Sequence, residues 1–108
     1  MIKKEKYSDT DVIGVVSFHK STESNNTIQV RLNKQLSKYF NTGYIVFNPV
    51  KMTIREGTIA DNNPRKLTSL IGSGCSFSYT CSNRDELIGD YEVEESTDEK
   101  QLYLLYKI

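Results

Sequence analysis

The stretch TIQVRLNKQLSKYFNTGYIVF (residues 27–47) decides how this chain is read. Its first six residues alternate, with Ile28, Val30 and Leu32 on one face and Gln29 and Arg31 on the other, the period of a half-buried strand. Asn33 then offers a side-chain oxygen to the unpaired N–H groups of a helix start. Leu36, Tyr39 and Phe40 follow at helical spacing, which predicts a short helix over residues 34–40. Gly43 stops that helix, because glycine takes the left-handed conformation at low cost. Alternation resumes at Tyr44 and Val46 in a strand over residues 44–47, which returns through residues 52–55 after a turn built from Asn48, Pro49, Val50 and Lys51.

The same order recurs downstream. Phe77, Tyr79 and Cys81 alternate, residues 82–87 supply a short helical link, Gly89 interrupts, and residues 91–95 and 102–106 form a second hairpin. A strand, a helical turn and a hairpin cannot bury their apolar face alone, so two copies, about 27–56 and 76–107, close on each other. The reading is a mainly β, small single-domain β-barrel with short helices and two related strand-helix-hairpin halves. Residues 12–18 (VIGVVSF) add a strand before the first copy, and residues 56–64 (EGTIADNNP) link the copies. Residues 66–71 admit either a helix opened by Pro64 or a strand ended by Gly72-Ser73-Gly74, with the strand preferred. Residues 1–11 are polar and aperiodic and read as a flexible leader before a domain over 12–108.

A chain of 108 residues is the size of one domain. No run approaches the roughly 20 apolar residues of a membrane span, and the lysine-rich start lacks the apolar segment of a signal peptide, so a cytoplasmic, membrane-free protein is expected. On that reading Asn25-Asn26-Thr27 is a polar turn and not a glycosylation acceptor. Cys75 and Cys81 lie in one alternating stretch with Cα atoms roughly 20 Å apart, beyond disulfide reach, and are expected as free thiols.

Chemistry-bearing motifs are sparse. The one histidine, His19, has no patterned carboxylate or cysteine beside it. Ser17 and Lys20 match a Ser-x-x-Lys spacing, but an alternating strand puts them on opposite faces. Gly72-Ser73-Gly74 is too short for a phosphate loop, and the acidic run over residues 85–99 lacks the ligand spacing of a calcium loop. No enzyme, cofactor or metal is expected.

Charge is the remaining signal. The chain is neutral, yet residues 1–66 hold eleven Lys or Arg against six Asp or Glu (+5), and residues 67–108 hold three against eight (−5). Arg31, Lys34 and Lys38 flank the first strand and its helix, and Lys51 and Arg55 lie on the hairpin taken to stand beside it. Such a cluster suits phosphate contacts. On the acidic side Asp90, Glu92 and Glu94 form a row roughly 6.6 Å apart along one strand face, matched to a basic protein surface or to a nucleic-acid-binding groove.

Residues 30–36 (VRLNKQL), 43–47 (GYIVF) and 51–54 (KMTI) together resemble the half-barrel unit of the AbrB-like swapped-hairpin DNA-binding proteins. The resemblance implies a barrel of two interlocked units, usually from two chains, and DNA contact by Arg31, Lys34 and Lys38. Asn33 stands where the family's helix-opening proline is typical, and the second copy has Arg84 but is otherwise acidic. The expectation is a small non-enzymatic regulatory protein that binds nucleic acid through Arg31, Lys34, Lys38, Lys51 and Arg55, with homo-oligomers compatible with this reading. The alternative is a protein-binding inhibitor or adaptor of phage or mobile-element type, acting through Asp90, Glu92 and Glu94.

Overall fold

The computed structural model describes residues 12–21, 26–70, 74–82 and 84–108. The leader over 1–11, Asn25 of the acceptor triplet, Gly72 and Ser73 of the glycine turn and Asn83 lie outside the described residues. In chain order the elements are β1 (Gly14–Lys20), β2 (Thr27–Leu32), α1 (Lys34–Ser37), β3 (Tyr44–Asn48), β4 (Thr53–Glu56), β5 (Arg65–Lys66), β6 (Thr68–Ser69), β7 (Cys75–Thr80), α2 (Arg84–Leu87), β8 (Gly89–Glu95) and β9 (Leu102–Lys107). All nine strands join one antiparallel sheet in the order β5-β3-β4-β9-β8-β1-β2-β7-β6.

The two ends of that order are neighbours in the chain. β5 pairs with β3 (Tyr44 opposite Lys66), β6 pairs with β7 (Thr68 opposite Ser76), and only Leu67 separates them, its N–H donating to the Gly43 carbonyl at 2.8 Å. Residues 65–69 are therefore one strand that changes partner midway, and the sheet rolls into a nearly closed barrel. The strand reading of residues 66–71 holds as far as Ser69.

The repeat is visible in the pairing. β2 pairs with β7 and β4 with β9, each element with its counterpart, while the hairpins β3–β4 and β8–β9 correspond. β1, which bridges β2 and β8, is matched by residues 65–69, which bridge β7 and β3. Exchanging the halves leaves the pattern of paired strands unchanged, so each half has the order strand, strand, helix, hairpin. Neither closes a barrel alone, because the pairs β2–β7 and β4–β9 both cross between halves.

The alternating residues fill the interior, except that β3 buries Ile45 and leaves Tyr44 and Val46 half-buried. Val16, Phe18, Ile28, Val30, Leu32, Ile45, Ile54, Phe77, Tyr91, Val93 and Leu105 are buried. Phe18 meets Tyr91 at 4.8 Å between ring centroids, and Phe47 meets Tyr79 edge-on at 5.0 Å, geometries that add to the burial of area. The Tyr91 hydroxyl donates to the Leu87 carbonyl at 2.9 Å, so the polar atom of a buried ring is satisfied at the end of α2.

Asn33 is the N-cap of α1, its Oδ1 accepting from the Leu36 N–H at 3.0 Å. The helix is shorter than its spacing predicts, four residues ending at Ser37, because residues 38–43 must cross the barrel end to reach β3. Gly43 is accordingly not the helix stop. It sits at φ +82° directly before β3. Leu36 is fully buried beneath the start of β1, where a Cβ on Gly14 would lie 2.5 Å from the Leu36 Cβ; glycine is required there for close approach.

Leu36→Ala should cost about 2–5 kcal/mol of stability and Asn33→Ala about 1 kcal/mol, measured by chemical denaturation. Cys75 and Cys81 are free, Cys75 buried and Cys81 half-buried. Loss of solvation raises the Cys75 thiol pKa. Alkylation without reductant, followed by mass spectrometry, should modify both residues, Cys75 more slowly because it is buried and its thiol ionises less readily than one in water.

Candidate nucleic-acid interface

Around the barrel the strands succeed one another as β1, β2, β7, the 65–69 strand, β3, β4, β9 and β8. Charge follows this order. β1, β2, β7, β6 and β5 contain no Asp or Glu, and they carry His19, Lys20, Arg31, Arg65 and Lys66. β3, β4, β9 and β8 carry Glu56, Asp90, Glu92, Glu94 and Glu95 against Arg55 and Lys107. One wall is thus basic and the opposite wall acidic.

The outward face of the basic wall is polar. Arg31 lies opposite Ser17 on β1 and Ser76 on β7, and Gln29 lies opposite His19 and Ser78. Small hydroxyl-bearing neighbours leave the long side chains room. On one side of Arg31 a groove of about 470 Å³ is lined by Gln29, Arg65, Lys66, Thr68, Ser76 and Ser78 among others. On the other side a smaller depression of about 250 Å³ is lined by Ser17, His19, Arg31, Asn33 and Leu70 among others. Arg65 stands opposite the buried Ile45 and so turns inward, its guanidinium carbon 5.1 Å from the centroid of the Tyr79 ring in a cation–π contact.

The five cations singled out from the sequence separate into three groups. Arg31, Lys34 and Lys38 are exposed around the end of β2 and α1, and none of them makes an ion pair among the described residues. Lys51 is exposed in the β3–β4 turn, at the far end of the barrel from α1, because β3 runs away from the helix. Arg55 is on β4, across the barrel from β2, with its Nη2 2.8 Å from Asp61 Oδ1 and its Nη1 donating to the Glu56 carbonyl. The β3–β4 hairpin therefore does not stand beside β2 as the sequence reading placed it: β1 and β7 occupy both flanks of β2.

Arg55 has a structural task. Hydrogen bonding to Asp61 raises the Arg55 pKa, and the same bond, with the Thr58 N–H, lowers that of Asp61. Together they fold residues 57–61 back onto β4. Glu56 does similar work, its Oε2 accepting from the backbone N–H groups of Asn41 and Thr42, while the Thr42 hydroxyl donates to the Gly57 carbonyl.

Asp90, Glu92 and Glu94 share the outward face of β8, as alternation requires. Asp90 is exposed, and Glu92 and Glu94 are half-buried between β1 and β9, so the row lies inside the sheet and not along an edge.

The sequence reading missed Lys66 and Gln29. Lys66 enters the basic wall only because its strand is inserted between β3 and β7, a long-range pairing without local signal. Gln29 shares a face with Arg31 two residues on, a signal present in the alternation itself. No helix among the described residues is long and apolar enough to cross a membrane. Compared with protein-family models, with curated proteins and with solved structures, the chain matches none.

Proposed function

We propose that this protein is a small regulatory protein that binds nucleic acid through the wall formed by β1, β2, β7 and residues 65–69, extended at one end by the lysines of α1. The observation that carries the reading is the sorting of charge: five adjoining strands without a carboxylate, supplying Arg31 and Lys66 on an outward surface grooved at about 470 Å³. Affinity for nucleic acid comes largely from cations that replace counterions along the phosphate backbone, and uncompensated cations do this best. Lys20 contributes less, since Asp85 lies 3.6 Å from it. The strand-helix-hairpin order in each half supports a further step, that the chain is a single-chain counterpart of the swapped-hairpin barrels it resembles.

The test is a salt series of binding titrations with labelled duplex and single-stranded probes of mixed sequence. Replacing Arg31, Lys34 and Lys66 together by Ala should weaken binding to every probe and make the slope of log affinity against log salt shallower by up to about one per cation. Lys51→Ala, at the other end of the barrel, should change affinity less than twofold. A wild type without salt-dependent binding, but with a protein partner lost on Glu92→Lys and Glu94→Lys substitution, overturns this reading in favour of an acidic-wall adaptor.

A further inference from the structure

Arg31 is exposed, yet its guanidinium is held. Its Nε and Nη2 both donate to Gln29 Oε1, at 3.1 and 2.9 Å. The other end of the Gln29 amide is engaged as well, Nε2 donating to Ser76 Oγ at 3.4 Å on the neighbouring strand. Ser76 is 4% exposed although it faces outward, so this end of the relay is fixed in the wall. A chain of side chains therefore runs from a buried hydroxyl through an amide to a cation at the surface.

A guanidinium has five N–H groups in a planar fork. Gln29 takes the edge formed by Nε and Nη2, which leaves the end formed by Nη1 and Nη2 facing away from the holder. That end matches two oxygens of one phosphate. The holder's charge matters equally. A carboxylate at position 29 would fix the fork as well, but would cancel the charge that a phosphate seeks; the amide fixes it and leaves the charge intact. The groove on one side of Arg31 and the depression on the other leave space for a backbone to pass across it.

We infer that Gln29 is a positioning residue that presents the outer edge of Arg31 to a single phosphodiester of the bound nucleic acid. This rests on the nucleic-acid reading of the basic wall. The cation and its holder both lie on β2, while the outward residues of its counterpart β7 are Ser76, Ser78 and Thr80, so the two halves contribute unequally and the footprint is asymmetric. Arg31→Lys is not conservative here, because an ammonium cannot be gripped by one edge and offer another.

The same labelled probes and salt series test it. Gln29→Ala should weaken binding about two- to tenfold, the cost of ordering a loose side chain on binding, with the salt slope unchanged because no charge is lost. Gln29→Glu should weaken it further and make the slope shallower by about one, and Arg31→Lys should weaken it at constant charge. Thermal melts should superpose on the wild type; if the alanine variant melts earlier, Gln29→Met, which keeps the aliphatic stem, takes its place. Should neither Gln29→Ala nor Gln29→Met alter affinity while Arg31→Ala does, Arg31 acts as an unheld cation and the positioning role is wrong, though the wall still binds. If the Arg31, Lys34 and Lys66 triple variant also binds like wild type, the basic wall itself is not the interface.

Discussion

The barrel depends on five residues, 65–69, that satisfy two sheet edges at once. Without them β3 would present one unpaired row of N–H and C=O groups and β7 another, each open to solvent and to edge-to-edge association. Arg65 and Lys66 pair with the first, Thr68 and Ser69 with the second, and the Leu67 N–H reaches the Gly43 carbonyl where the partner changes. Closure is the general way an antiparallel sheet disposes of its edges. Here it also locks the halves together, since the ring runs through four cross-half pairs, β2–β7, β4–β9, β1–β8 and β3–β5. The buried interior from Val16 to Leu105 exists only once that ring is formed.

Ring order also explains how a chain with zero net charge offers a basic surface. Along the sequence the excess of cations lies before residue 67 and the excess of carboxylates after it. Folding does not simply set one half against the other. It moves the carboxylate-free β7 of the second half between β2 and residues 65–69, and moves β4, with Glu56, next to the acidic hairpin β8–β9. The molecule measures 37 × 29 × 29 Å, several times the screening length of about 8 Å at physiological ionic strength. Glu56, across the barrel from β2, is therefore screened from a ligand on the basic wall, whereas Asp90, opposite Ser17 on β1, is only two strands, roughly 10 Å, from Arg31 and tempers the potential there.

Local features of this fold were legible in the sequence because their causes are local. Alternation at Ile28, Val30 and Leu32 specifies a strand with one buried face, and Asn33 specifies a cap, from residues within four positions of each other. What could not be read is which strands become neighbours. Nothing near Arg55 says that β9 and not β2 lies beside its strand, or that Asp61, six residues on in a segment without apolar period, returns to neutralise it. Lys66 was overlooked for the same reason, as a two-residue pairing carries almost no periodicity. Length misled as well: the helical spacing of Tyr39 and Phe40 comes from residues that pack against Tyr103 at the barrel end, after α1 has finished.

Arg31 and Arg55 are the same residue type in alternating strands of the same half, and their partners separate their roles. Arg55 is gripped by a carboxylate, which meets its need for an opposite charge, folds residues 57–61 onto β4 and leaves little electrostatic demand for a ligand. Arg31 is gripped by an amide, which meets only the need for a hydrogen-bond acceptor. The first arrangement stabilises the fold by pairing two charges; the second keeps a charge exposed and oriented, a gain for the isolated protein only as far as one neutral hydrogen-bonded relay allows. An oriented but uncompensated cation adds little to stability, and what it offers is lower ordering cost when an anion arrives. On the proposed reading, the amide at position 29 ties nucleic-acid binding by this wall to a residue that carries no charge.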